Sequence, residues 1–393
     1  MAAVDPVRNP YSPGAGRRPA ALVGRDAQLA EWDVALERVT AGRTAQPIVL
    51  YGLRGVGKTV LLAEFARRAK DRGWVVARLE ARADRSLREI MGDALRGPLA
   101  DLARPSAGER LRRALKTMTS FRASLEPSGA WSFGLDLSRV GGGGADTGNL
   151  EADLAKVLHD VAAAATEEGC GLAILVDEAQ DVAEADLSAL CAAVHTASQE
   201  GWALTVGLAG LPSLPRILAE AKSYSERLFN FHSIDNLPAP ASREVLTAPA
   251  AAESITWDDD AVEHVVTQAA GYPYFLQQFG QETWNEAAGP TITLAEARVG
   301  VAKGWAALDN GFFRTRWDRA TFAEQRYLRA MAEDGDTGSR SGDVAGRLGR
   351  KITSLGPIRA KLIAKGLIYA PEHGLVAYTV PGMADFIRRQ PEP

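Results

Sequence analysis

Short, nearly unbroken apolar runs alternate with amphipathic stretches through the first part of the chain. Pro47 to Tyr51, Trp74 to Leu79, Gly171 to Asp177, Ala203 to Gly210 and Leu228 to Ile234 predict strands, and the third contains nothing polar before Asp177. Uninterrupted apolar character suits a central parallel strand covered on both faces. Between these runs, Asp26 to Thr40 puts Leu29, Trp32, Leu36 and Val39 on one helical face. Thr59 to Lys70 repeats that spacing, residues 83 to 122 carry amphipathic helices, and Leu150 to Ala165 resumes a helix. Strand and helix in alternation predict an α/β fold, a doubly wound parallel sheet. The pattern fails between Ala123 and Asn149, where Gly141 to Gly144 cannot support a helix interior, so a mobile excursion between strands is expected there.

The C-terminal part has a different rhythm. Thr321 to Met331, Arg340 to Leu348 and Ser354 to Lys365 predict three helices, followed by two short strands, Gly366 to Ala370 and Gly374 to Val380, around Pro371, Glu372 and His373. This order is a winged-helix pattern. Its third helix carries Arg359, Lys361 and Lys365, with Arg347, Arg350 and Lys351 shortly before, a local basic excess. Such a face either is solvated or docked on protein, or meets the phosphates of duplex DNA. Base readout is the weaker expectation, because the helix holds no Asn or Gln.

Two motifs carry chemistry. Gly52 to Thr59 reads GLRGVGKT behind the first predicted strand and ahead of a helix, which fits the phosphate-binding P-loop pattern G-x-x-x-x-G-K-[ST] in its proper context. Gly52, Gly55 and Gly57 let the loop curl, so that backbone N–H groups from Val56 through Val60 point inward at a triphosphate. Lys58 supplies a cation to the β and γ oxygens, and the Thr59 hydroxyl can ligate Mg2+. The positive end of the following helix faces the same anion. The second motif, GLAILVDEAQ, ends its strand in Asp177 and Glu178. Ligands sit at the carboxyl ends of parallel strands, so Asp177 is placed to hold Mg2+ through water and Glu178 to polarise the attacking water. An acidic helix start would give the same two residues. The P-loop about 120 residues upstream in one α/β unit favours hydrolysis. Glu80, after the second strand, is the next candidate base.

At 393 residues the chain exceeds the usual single core, so two or three domains are expected. Hydrophobic residues at 46% and charged ones at 24% describe an ordinary globular protein. A net charge of −4 leaves no global footprint for nucleic acid, and any such contact must be local. Cys170 and Cys191 are expected to pack as small hydrophobes, and no metal-ligand spacing occurs. With no signal-peptide core at the start and no apolar run of about 18 residues, a cytoplasmic protein without membrane contact is expected.

The order of parts resembles AAA+ ATPases of the origin-recognition type and the related STAND and archaeal-type ATPases, over roughly residues 21 to 310. Val23-Gly24-Arg25, about 27 residues ahead of the P-loop, is similar to the adenine-side box of that family, which implies nucleotide contacts for Gly24 and Arg25. Arg227, just before the LFNFHSI run, falls where such proteins carry an arginine finger, which implies a homo-oligomer. Gly271-Tyr272-Pro273 is similar to the Gly-x-Pro element of the lid in STAND-like relatives and implies that Pro273 borders the nucleotide. No Asn-Lys-x-Asp element for guanine is present, which argues for ATP. The chain departs from the family at the tip of ALTVGLAG, where a polar sensor is usual and only Thr205 and Ser213 lie nearby, and at the second-sensor position, which lacks an arginine. Residues 1–20, rich in Pro, Gly, Ala and Arg, are expected to form a flexible arm lying against the ATPase, and the resemblance implies an AAA+ domain over 21–236, a helical lid over 237–311 and a winged helix over 312–393. Two roles stay open: an ATPase acting on DNA, and a nucleotide-gated switch whose output is an unidentified protein partner.

Overall fold

The computed structural model describes residues 4–14, 16–102, 108–123 and 143–392. Its centre is a parallel sheet of β1 (Ile48–Tyr51), β2 (Val75–Glu80), β3 (Leu172–Asp177), β4 (Leu204–Gly210) and β5 (Asn230–Ser233). The spatial order is β2-β3-β4-β1-β5, so β4 separates the P-loop strand from the strand that ends in Asp177. β4 is buried along its whole length and β3 up to its last residue, as their apolar composition requires.

Alternate residues of the strands feed two cores. Ile48, Leu50 and Leu175 pack with α1 (Asp26–Thr40) and α2 (Lys58–Asp71). Val49, Ile174 and Val206 pack with α3 (Leu87–Leu102), α4 (Glu109–Ala123), α5 (Leu150–Glu167), α6 (Glu184–Glu200) and α7 (Leu214–Ala221). The Leu228 to Ile234 run is strand only in its second half. Leu228 belongs to a short helix, α8 (Ser225–Leu228), whose last N–H bonds back to Tyr224. Both cysteines are free, and Cys191 is buried, as small hydrophobes pack.

Most of the expected excursion over 123–149, including Gly141 and Gly142, lies outside the described residues. The part over 143–149 packs on the domain through side-chain and backbone contacts. Ala145 is buried, its carbonyl accepts from Arg88, and Thr147 donates to Asp153. Asp153 in turn receives Arg88 at 2.6 Å, a buried ion pair that fastens α3 to α5.

A helical lid follows, built from α9 (Ala239–Ala252), α10 (Asp259–Ala269), α11 (Pro273–Glu286) and α12 (Leu294–Ala307), with the short parallel pair β6 (Thr256–Trp257) and β7 (Thr291–Ile292). The N-terminal residues, expected against the ATPase, run mainly across this lid. Tyr11 is buried between Trp257 and Trp284, and Asn9 bonds Gln281 and Asn285. Aromatic burial outweighs the flexibility that the Pro- and Gly-rich composition suggests. Ser12, Pro13, Gly14, Gly16, Arg17 and Pro19 line the cavity beside the P-loop.

A π-helical turn, Leu308–Phe313, leads through α13 (Arg314–Asp318) into the C-terminal module. That module holds α14 (Phe322–Ala332), β8 (Ser339–Arg340), α15 (Ser341–Arg347), α16 (Ile352–Ala364), β9 (Ile368–Tyr369), β10 (Leu375–Tyr378) and α17 (Met383–Arg388). β10 pairs antiparallel with both β8 and β9. Thr321 and Glu324 close a capping box at the start of α14.

Candidate functional site

A cavity of about 600 Å3 lies at the carboxyl ends of the strands, between P-loop, lid, N-terminal segment and C-terminal module. Gly55, Val56, Gly57, Lys58, Thr59, Val60, Glu80, Asp177, Glu178, Arg25 and Pro273 all line it. Gly57 stands before α2 with φ 98°, a left-handed turn that sends the chain from loop into helix. Gly52 lies below the cavity, tight against the Ile234 carbonyl.

Lys58 is 7% exposed, and its amine donates to the Gly52 and Leu53 carbonyls at 2.9 and 2.7 Å. Burial lowers its pKa to about 8, against the pull of Glu178 and Asp177 and with help from the Arg54 cation. Asp177 shifts the other way. Burial raises its pKa, opposed by hydrogen bonds from the Thr59 hydroxyl and from the Glu178 N–H, the latter at 2.9 Å. Glu178 sits in left-handed backbone at φ 50°, a strained conformation for a non-glycine residue that points its carboxylate off the strand axis.

Three further residues shape the site. Arg54 crosses the mouth of the loop: its guanidinium meets Glu178 at 2.9 Å, its N–H donates to Thr379 of the C-terminal module at 3.0 Å, and its carbonyl accepts from the Tyr272 hydroxyl of the lid. Gln180 lies between Glu178 and the end of β4. Its amide donates to Glu178 at 2.7 Å and accepts from Leu211 N–H at 2.9 Å, which joins the acidic pair to the end of β4. Gly210 is needed there, since a Cβ would stand 2.6 Å from that amide oxygen. Thr205 is buried early in β4, and neither it nor Ser213 reaches the cavity. The third is Arg316 of α13, which lines the cavity although the lid helix itself offers no arginine there. Only contacts at long sequence separation could reveal these.

Other expected residues sit as follows. Gly24 packs against Leu237 and Ala241 of the lid entrance. Arg25 is buried and donates to the carbonyls of Asp235 at 2.6 Å and Val56 at 3.1 Å, so its head clamps loop to lid linker beside the cavity. Arg227 is exposed on α8 and does not line the cavity. In the C-terminal module Lys361 is exposed and Arg359 half-buried, whereas Lys365 pairs with buried Glu324 at 2.5 Å. Lys365 is therefore engaged within the fold, a correction to its expected place on an open basic face. Arg347 is likewise paired, with Asp334 at 2.5 Å. Among the described residues no cluster of His, Cys, Asp and Glu suits a metal, and no helix is long and apolar enough to cross a membrane.

Residues 21–206 match the family described as AAA ATPase domain, and residues 310–387 match a domain of unknown function, DUF8462. The Walker-type ATPase of Pyrococcus abyssi is similar in structure, with a TM-score of 0.57 at 16% identity over 94% of this chain and 97% of that one. The RuvB Holliday junction branch migration motor of Thermotoga maritima gives 0.46 at 14% identity, over 92% and 96% of the two chains. The ORC1 protein of Aeropyrum pernix, in complex with DNA, gives 0.43 at 16% identity, over 95% and 94%. No curated protein matches the chain. Sheet order and P-loop agree on a P-loop ATPase fold, and the stretch that matches the AAA ATPase domain, residues 21–206, contains both the P-loop and the Asp177 strand.

Proposed function

We propose that this protein binds ATP with Mg2+ in the cavity, hydrolyses it with Glu178 as the group that orients water, and couples the nucleotide to the lid and C-terminal module. The observation that carries this is the placement of Lys58, Thr59, Asp177 and Glu178 around one cavity at the sheet's carboxyl edge. Thr59 and Asp177 offer two adjacent oxygens of the hard type that Mg2+ takes, so these residues would hold it. Held there, Mg2+ would supply neutralisation of the triphosphate's charge. Lys58 leaves the Gly52 and Leu53 carbonyls for phosphate, an exchange that strengthens its bonds because phosphate is charged. Gln180 holds Glu178 in orientation, while Pro273 and Tyr274 close the lid side.

We read the C-terminal module as a winged helix, since three helices and a β8-β10-β9 sheet in this order have that topology. Its output is duplex DNA or a protein partner. The internal pairing of Lys365 and Arg347 leaves Lys361, Arg359, Arg350 and Lys351 as the available cations, which supports the partner-docking reading more than the sequence did. Fluorescence anisotropy of a labelled duplex across a salt series separates the two. Steep salt dependence, flattened by about one to two units in Arg359→Ala with Lys361→Ala, supports DNA. No binding at moderate salt supports a protein partner.

A further inference from the structure

Arg316 comes from α13, beyond the lid and outside the stretch that matches the ATPase domain. Its guanidinium lies over the Phe312 ring at 3.8 Å and donates to the Phe312 carbonyl at 2.7 Å, and Phe312 stacks on Tyr274. All three residues line the ATP cavity. The charges that bear on Arg316 are Arg54 and Arg319, and among the described residues no carboxylate pairs with it. A guanidinium cannot shed its proton, so a part-buried one beside a second cation calls for an anion. Arg54 also marks which end of a nucleotide would come there, because it holds Glu178, the residue at the hydrolytic end.

We propose that Arg316 is a ligand of the distal phosphate of ATP, supplied by the segment beyond the lid, and that through it the C-terminal module distinguishes ATP from ADP. The inference rests on the ATP reading above. The connection onward is short. Arg319, in the next turn, donates to the Lys365 carbonyl at 3.1 Å, and the Lys365 amine returns a bond to the Arg319 carbonyl at 2.8 Å and grips Glu324. A pull on α13 by phosphate is thereby passed to the end of α16 and the start of α14. Loss of that phosphate removes the pull.

The test is calorimetric titration of the full chain with Mg2+ and either a non-hydrolysable ATP analogue or ADP. Arg316→Ala is expected to weaken the analogue about tenfold or more, the worth of one charged hydrogen bond to phosphate, and ADP by less than about threefold. Arg316→Gln, which keeps the stem over Phe312, gives the same change in ratio should alanine fail to fold. Hydrogen exchange in α16 is expected to differ between analogue and ADP in the wild type and to be alike in the variant. An analogue-to-ADP affinity ratio unchanged by either substitution overturns the proposal, as does an equal loss for both nucleotides. Failure of the underlying reading looks different: the wild type would bind neither nucleotide, or Lys58→Ala would bind both as the wild type does.

Discussion

Lys58 should make ATP affinity fall in mildly alkaline solution, where an ordinary lysine would leave it unchanged. Burial holds its pKa near 8 instead of 10.5, because its amine sees only two backbone carbonyls at close range and the carboxylates of Glu178 and Asp177 farther off. The protonated amine is the form that meets phosphate, and bound phosphate raises its pKa again. The sign follows: above pH 8 the free protein must take up a proton in order to bind. At pH 9 about one molecule in ten carries the charged amine beforehand, so affinity is about tenfold below its neutral plateau, near 1.4 kcal/mol. Titration calorimetry from pH 7 to 10 with a non-hydrolysable analogue measures this. Two buffers of different ionisation enthalpy report the proton uptake. Glu178→Gln removes a carboxylate that raises the pKa of Lys58, so its break should come at lower pH. A log affinity that stays flat to pH 10, with no proton uptake, would refute the reasoning.

Gln180→Leu takes away the bonds to Glu178 and Leu211, so kcat should drop about tenfold with KM nearly unchanged; wild-type kcat would show that Glu178 needs no such support. Asp153→Ala breaks the buried ion pair with Arg88 and should cost roughly 3–5 kcal/mol in denaturant unfolding. Burial raises the Asp153 pKa, but bonds from Arg88 and Thr147 bring it below the ordinary value, so its contribution is full above about pH 4 and is lost as pH falls through the folded pKa. An Asp153→Asn protein whose deficit persists undiminished in acid would contradict that pairing. Arg227→Ala should keep ATP affinity and lower hydrolysis, with specific activity rising with protein concentration. A monomer by light scattering whose activity ignores concentration would make Arg227 a surface residue.

The sheet was legible in the sequence because its strands are apolar runs set among amphipathic helices, and the P-loop because its glycines and Lys58 are contiguous. Asp177 and Glu178 were legible for the same reason, at the end of an unbroken apolar strand. What stayed hidden depends on distance along the chain. Arg54 meets Glu178 and Thr379, Gln180 reaches across to Leu211, and Arg316 arrives from a helix past the lid. The N-terminal segment misled through composition, since Tyr11, buried between Trp257 and Trp284, and the bonds of Asn9 hold a stretch rich in Pro and Gly. Lys365 misled through charge, because a run of basic residues does not reveal that buried Glu324 claims one of them.

The assignment of Glu178 to hydrolysis, separate from binding, is the centre of the account, and one paired measurement addresses it: ATP affinity and single-turnover hydrolysis in the wild type and in Glu178→Gln. The substitution keeps side-chain size while removing the carboxylate that orients water, so affinity near pH 7 should stay within about threefold and hydrolysis should slow at least about tenfold. Hydrolysis unchanged in Glu178→Gln would contradict the account and move the base elsewhere, to Glu80 at the end of β2 first.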